Sequence, residues 1–157
     1  MAVVSNIMDT INLVFTKSLL SPVSWLIRWV LPRSRFSLAM SSHCLIQFGD
    51  SYYQADLFNG VNLIVGGTAL SGCTVVKKIA YSVKDAQAGR NFLDNQLGKK
   101  YDLTGVLGIS LAPDRDWSED DSWFCYELGA GALKAAGRDD FQNLNHITEI
   151  ALMAVKP

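Results

Sequence analysis

The 157-residue chain has little charge, three cysteines, two histidines and no internal repeat. A formal net charge of −1 gives no basic surface for nucleic acid, and an apolar share of 49% argues against disorder. An odd number of cysteines without a C-x-x-C pair fits neither a disulfide framework nor a zinc site, so a reducing compartment is the simpler reading. An unbroken apolar run is also missing. Residues 11–31 are rich in apolar side chains, but Lys17, Pro22 and Arg28 interrupt a stretch that would need ~20 such residues to span a bilayer. A signal peptide opens with basic residues, whereas the first charge here is Asp9. The expectation is a soluble chain with one domain over residues 1–157, in which 1–10 carry no clear signal and are read as a flexible lead.

What is present reads as alternating strands and helices. Ile11 to Phe15 can form a short strand. Ser21 as N-cap, Pro22 at the first helical position and a Leu20–Trp25 staple open a helix over 21–31, which Pro32 stops. Its Val23, Leu26, Ile27 and Val30 stripe predicts packing on a core, while Trp25 and Trp29 offer a second reading, contact with a membrane surface. Phe36 to Met40, His43 to Phe48, Tyr52 to Phe58, Val61 to Val65 and Thr74 to Tyr81 read as a meander of antiparallel strands. Ser82 is placed to cap a helix that ends before Gly98. A small-residue segment reaches Leu111, and Ile147 to Val155 forms a closing strand or short helix.

Strand parity carries the first functional argument. His43, Leu45 and Gln47 share one face, and Cys44, Ile46 and Phe48 share the other. A two-residue loop at Gly49-Asp50 or Asp50-Ser51 sets Tyr52, Gln54, Asp56 and Phe58 on the His43 face; a three-residue loop would set Tyr53, Ala55 and Leu57 there.

The stretch Asp121-Ser122-Trp123-Phe124-Cys125-Tyr126-Glu127-Leu128 is a second functional signal. With Ser122 as N-cap, a helix runs to Gly137 and Cys125 occupies its third position. Free N–H groups and the helix dipole there favour a thiolate, against an ordinary thiol pKa of ~8.5, and could hold the oxyanion of a carbonyl under attack. His43 is the natural partner as proton acceptor.

The order of these parts resembles a known family. Ser24-Trp25-Leu26-Ile27-Arg28-Trp29, Ser34-Arg35-Phe36-Ser37, Ser42-His43, Gly98-Lys99-Lys100-Tyr101-Asp102 and Trp123-Phe124-Cys125-Tyr126-Glu127-Leu128 together look like the circularly permuted branch of the NlpC-type papain-like cysteine hydrolases. That branch is common in phages and bacteria and is related to the lecithin–retinol acyltransferases. The resemblance spans roughly residues 11–137. It implies an α+β papain-like fold in which an antiparallel sheet, built over residues 36–81, packs against the helix bearing the cysteine. Cys125 would be the nucleophile and His43 the general base. The polar residue that orients the imidazole falls at Gln54 or Asp56, and parity selects those two without choosing between them. Tyr101 and Trp123 would approach the substrate.

Rival sites are poorer. His146 lacks polar company and reads as a loop residue, and Cys73 reads as a small buried one. Cys44 faces away from His43, and a metal held by His43, Cys125 and Asp56 would lack a fourth ligand, so no cofactor or metal is expected. The expected activity is a cysteine amidase or peptidase acting on a peptide or cell-wall (peptidoglycan) amide. Asp114, Asp116, Glu119, Asp120 and Asp121 precede the nucleophile and favour a substrate with a free amine. A thiol acyltransferase or lipid amide or ester hydrolase, using residues 21–31 at a membrane surface, is one alternative. An inactive structural protein, for example of a phage particle, is another. Location follows as cytoplasmic, or virion-associated if phage-encoded.

Overall fold

The computed structural model describes residues 9–18, 24, 27, 41–111, 121–144 and 147–157. The predicted strand over 36–40, most of the predicted 21–31 helix with Trp25 and Trp29, the acidic residues 114–120 and His146 lie outside them.

The fold is α+β. Five strands, β1 (Asp9–Lys17), β2 (His43–Phe48), β3 (Ser51–Asp56), β4 (Gly60–Val65) and β5 (Thr74–Val83), form one antiparallel sheet in the order β4-β3-β2-β1-β5. The expected meander is therefore split, because β1 inserts between β2 and β5. Burial explains the placement. Ile11, Leu13, Val14, Phe15 and Thr16 are all essentially inaccessible, a pattern that suits the middle of a sheet and would be wasted at an edge. Two-residue turning at Gly49-Asp50 joins β2 to β3, with Gly49 in the left-handed region that a tight hairpin needs (φ 57°).

One face of the sheet carries the helices α1 (Ala86–Gln96) and α3 (Cys125–Ala135); α2 (Leu103–Leu111), α4 (Glu149–Ala154) and a 3-10 turn at Gly67–Leu70 are also present. The approach of α1 is set by Gly89, where an added Cβ would lie 2.7 Å from Ile11 Cδ1 and 3.0 Å from the Ala132 carbonyl. Helix α3 is buried from Cys125 through Leu133, a run of mostly apolar and small residues that also buries Glu127. Among the described residues, no helix is long and apolar enough to cross a membrane.

Two helix starts differ from expectation. Ser82 remains in β5, opposite Thr10, and the cap of α1 is Asp85, whose carboxylate accepts from Ala88 N–H at 2.9 Å. Ladder pairing with β1 runs through Val83, so the helix cannot begin earlier. Likewise Ser122-Trp123 is extended as β7, pairing in parallel with β6 (Lys100–Tyr101), and Phe124 is the N-cap of α3. Cys125 is thus the first helical residue and not the third. The small-residue segment that ends at Leu111 is helix α2; Asp102 Oδ1 accepts from Gly105 N–H at 2.6 Å and caps it.

Candidate active site

The hairpin β2–β3 brings the polar residues together. Its register pairs Ile46 with Tyr53, Gln47 with Tyr52 and Phe48 with Ser51, which sets Gln54 and Asp56 on the His43 face as parity requires. His43 Nε2 and Gln54 Oε1 are 2.8 Å apart. The direction of that bond is fixed from Asp56, whose carboxylate can only accept. Asp56 takes N–H groups from Phe58 and Asn59 (2.9 and 2.8 Å) and from Asn62 Nδ2 (2.7 Å). It also takes Gln54 Nε2 at 3.2 Å, while Asn62 Oδ1 accepts from that same amide at 3.1 Å. With its amide nitrogen so engaged, Gln54 turns its carbonyl to the ring. His43 therefore carries its proton on Nε2, and Nδ1 keeps a free lone pair.

Gln54, and not Asp56, is the direct partner of the imidazole. Asp56 acts one residue further out, by holding Gln54 and the β3–β4 turn. Burial tends to raise the Asp56 carboxyl, but the bonds from Asn59, Phe58 and Asn62 outweigh it and hold the group below the ordinary carboxylate value. For His43 the balance is reversed. Burial of the ring lowers its pKa beneath 6.5, against the upward pull of Gln54 and of the Asp56 charge. The imidazole is neutral at pH 7.

A cavity of about 530 Å³ opens beside these groups, a size typical of small-ligand pockets. His43, Gln54, Asp56 and Tyr101 line it. Tyr101 also packs edge-on against Phe124, the residue before Cys125, at 6.1 Å between ring centres. Cys73 lines the cavity as well and is partly exposed, contrary to its reading as a small buried residue. Its place after Gly72, whose φ of 72° marks a turn, puts it on a loop and not in the sheet core.

Cys125 is not among the described lining residues, and none of its surface is exposed. Its sulfur is faced by the N–H groups of Cys44, of Tyr126 and of Cys125 itself. Burial nevertheless dominates, with the Glu127 charge adding to it, and pushes the thiol up to about 12. That desolvation works against the resting thiolate that a helix N-terminus favours. The Cys44 amide ties the sulfur to the residue following His43, while the Cys44 side chain points to the other face, towards Gly129. Trp123 does not line the cavity. Its ring meets Phe92 edge-on and its Nε1–H donates to Gln96 Oε1 at 3.0 Å, so it is committed to α1.

Of the acidic run, Asp121 is described: it is exposed and lies 3.5 Å from Lys99 Nζ. Sequence reading missed Asn59 and Asn62, although the register of the Asn59-Gly60 hairpin would have set Asn62 opposite Gln54. Comparison of the chain with protein-family models, curated proteins and solved structures finds no match.

Proposed function

We propose that the protein is a papain-like cysteine amidase or peptidase that cleaves peptide amides, with cell-wall peptides as the substrate class. Cys125 is the nucleophile, His43 the general base, and Gln54 the residue that positions the imidazole, itself held by Asp56. The observation that carries this reading is the 2.8 Å contact of His43 Nε2 with Gln54 in the wall of the cavity, which sets a tautomer that leaves Nδ1 as a proton acceptor.

Both partners rest neutral, so no preformed thiolate–imidazolium pair is invoked. As the sulfur attacks the carbonyl carbon, its proton passes to His43 Nδ1 and the carbonyl electrons move onto oxygen. Collapse breaks the C–N bond, and the imidazolium delivers the proton to the departing amine. Water then adds to the thioester, giving its proton to His43; the carboxylic acid leaves and the thiol is restored. The backbone N–H groups of Cys44, Tyr126 and Cys125 favour the charge developing on the sulfur and offset part of the cost of burying it.

The acidity of residues 114–121 supports a substrate carrying a free amine, such as the diamino acid of a bacterial stem peptide. Full burial of Cys125 favours a second reading, a non-catalytic protein that retains the fold, and so sets the terms of the test. Purified muropeptides and lipid vesicles are incubated in parallel with the protein and with Cys125→Ala. Muropeptide cleavage lost in the variant is the expected result. Cleavage that persists in Cys125→Ala removes the nucleophile assignment. Vesicle binding without cleavage points to a lipid amide or ester hydrolase or acyltransferase, and neither outcome leaves the structural protein.

A further inference from the structure

We infer that Thr16 is a ligand-binding residue, whose hydroxyl takes a neutral peptide amide within the His43 cavity. The inference deepens the proposed function by naming a subsite, and it rests on that reading for the identity of the substrate.

Thr16 lies directly opposite His43 in the β1–β2 ladder, and side chains paired this way share one face at Cβ separations of about 5 Å. It lines the same cavity as His43 and Gln54. The residue is wholly inaccessible, yet its Oγ1 makes no hydrogen bond among the described residues. A buried hydroxyl without a partner costs roughly 1–3 kcal/mol. A valine of nearly the same shape would avoid that cost, so the unpaired oxygen calls for a guest.

The neighbouring hydroxyls do not fill the need. Ser24 Oγ and Ser42 Oγ bond to each other, and Ser24 also accepts from Ser18 N–H at 3.3 Å. Ser42 N–H donates to the Thr16 carbonyl at 2.9 Å, which fixes the backbone but leaves the side chain uncommitted.

Charge and shape set the ligand class. Among the described lining residues there is no lysine or arginine, and Asp56 adds a negative charge to the lining, so an anionic group is disfavoured. A threonine hydroxyl both donates and accepts, which matches the two faces of a neutral amide. Ile27, Ala55 and Leu57 supply an apolar wall suited to a small side chain beside that amide.

Cys73 provides a reporter that does not depend on catalysis, being partly exposed in the wall of this cavity. In the full chain, the rate of iodoacetamide labelling at Cys73, read by peptide mapping, is measured against increasing N-acetyl-alanine methylamide, with sodium acetate as the anionic control. Saturable protection by the amide and not by acetate is expected. Thr16→Val should raise the half-protecting concentration about three- to tenfold, the scale of one neutral hydrogen bond, without lowering the denaturation midpoint. Thr16→Ser, which keeps the hydroxyl, should protect like the wild type and stands in if the valine variant fails to fold. The inference is overturned if the amide gives no protection, if acetate protects equally, or if loss of the hydroxyl changes nothing, which would assign it to an ordered water. Loss of the hydrolase reading would leave the protection intact, so the two failures are distinguishable.

Discussion

His43 and Gln54 are joined by a 2.8 Å hydrogen bond in which the ring Nε2–H donates to the amide carbonyl, and Asp56 dictates that polarity from two residues away. The imidazole is thereby set to receive a proton at Nδ1 and at no other position. Replacing Gln54 by Leu keeps the side-chain bulk but removes the acceptor. Turnover should fall by roughly 10²-fold or more, the scale of a general acid–base contribution, and its acid limb should move because His43 loses a bond that raises its pKa. A pH–rate profile checks this; an unshifted profile means Gln54 has no hold on the ring.

Asp56→Ala acts through structure as much as through the ring. It strips the acceptor from the Phe58, Asn59 and Asn62 donors and frees Gln54 to rotate. We expect a loss of about 1–3 kcal/mol in denaturant unfolding, together with reduced turnover. The stabilisation from this depressed carboxyl is present above its unfolded pKa of ~3.9 and is lost as pH falls through the lower folded value.

Stability should be greatest between about pH 6.5 and 9. Below 6.5 the unfolded chain binds a proton at His43 that the native ring resists, so stability falls with pH. Above 9.0 the unfolded Cys125 loses a proton that the native thiol keeps until about 12, so stability falls as pH rises. Each group contributes at most about 1.4 kcal/mol per pH unit. Cys125→Ser should flatten the slope between pH 9 and 10, leaving the part due to the buried Cys44 thiol, which is also raised. An unchanged slope in urea titrations would show that Cys125 is not desolvated.

Gly89→Ala tests the contact of α1 with the sheet and α3. Helix propensity would favour alanine by up to ~1 kcal/mol, but its Cβ meets the Ala132 carbonyl at 3.0 Å and Ile11 Cδ1 at 2.7 Å. Overpacking at ~1–3 kcal/mol outweighs the gain, because a backbone carbonyl cannot rotate aside. A net loss of about 1 kcal/mol is expected by chemical denaturation.

Local pattern made much of this fold legible. Alternation narrowed the His43 face to two sets of residues, and the two-residue loop at Gly49-Asp50 in the folded hairpin selects the set with Gln54 and Asp56. Sheet order was not legible, because the insertion of β1 beside β2 depends on long-range burial that no short motif encodes. The choice of Gln54 over Asp56 was equally hidden. It turns on the Asn59 and Asn62 donors that occupy the carboxylate, which only the folded β3–β4 hairpin assembles. The setting of Cys125 was half legible for a physical reason: its place at a helix start is visible in sequence, whereas desolvation is a property of everything packed around the sulfur.

The assignment of Cys125 as nucleophile is tested most directly by a peptidyl chloromethyl ketone, whose covalent attachment to a thiol is accelerated by a base beside it. Cys73 is the more exposed thiol, so unassisted chemistry would mark it first. After limited reaction at pH 7, peptide mapping should find the adduct on Cys125, and His43→Ala should abolish it there. An adduct confined to Cys73, or one on Cys125 that forms equally fast without His43, would rule out Cys125 as the nucleophile.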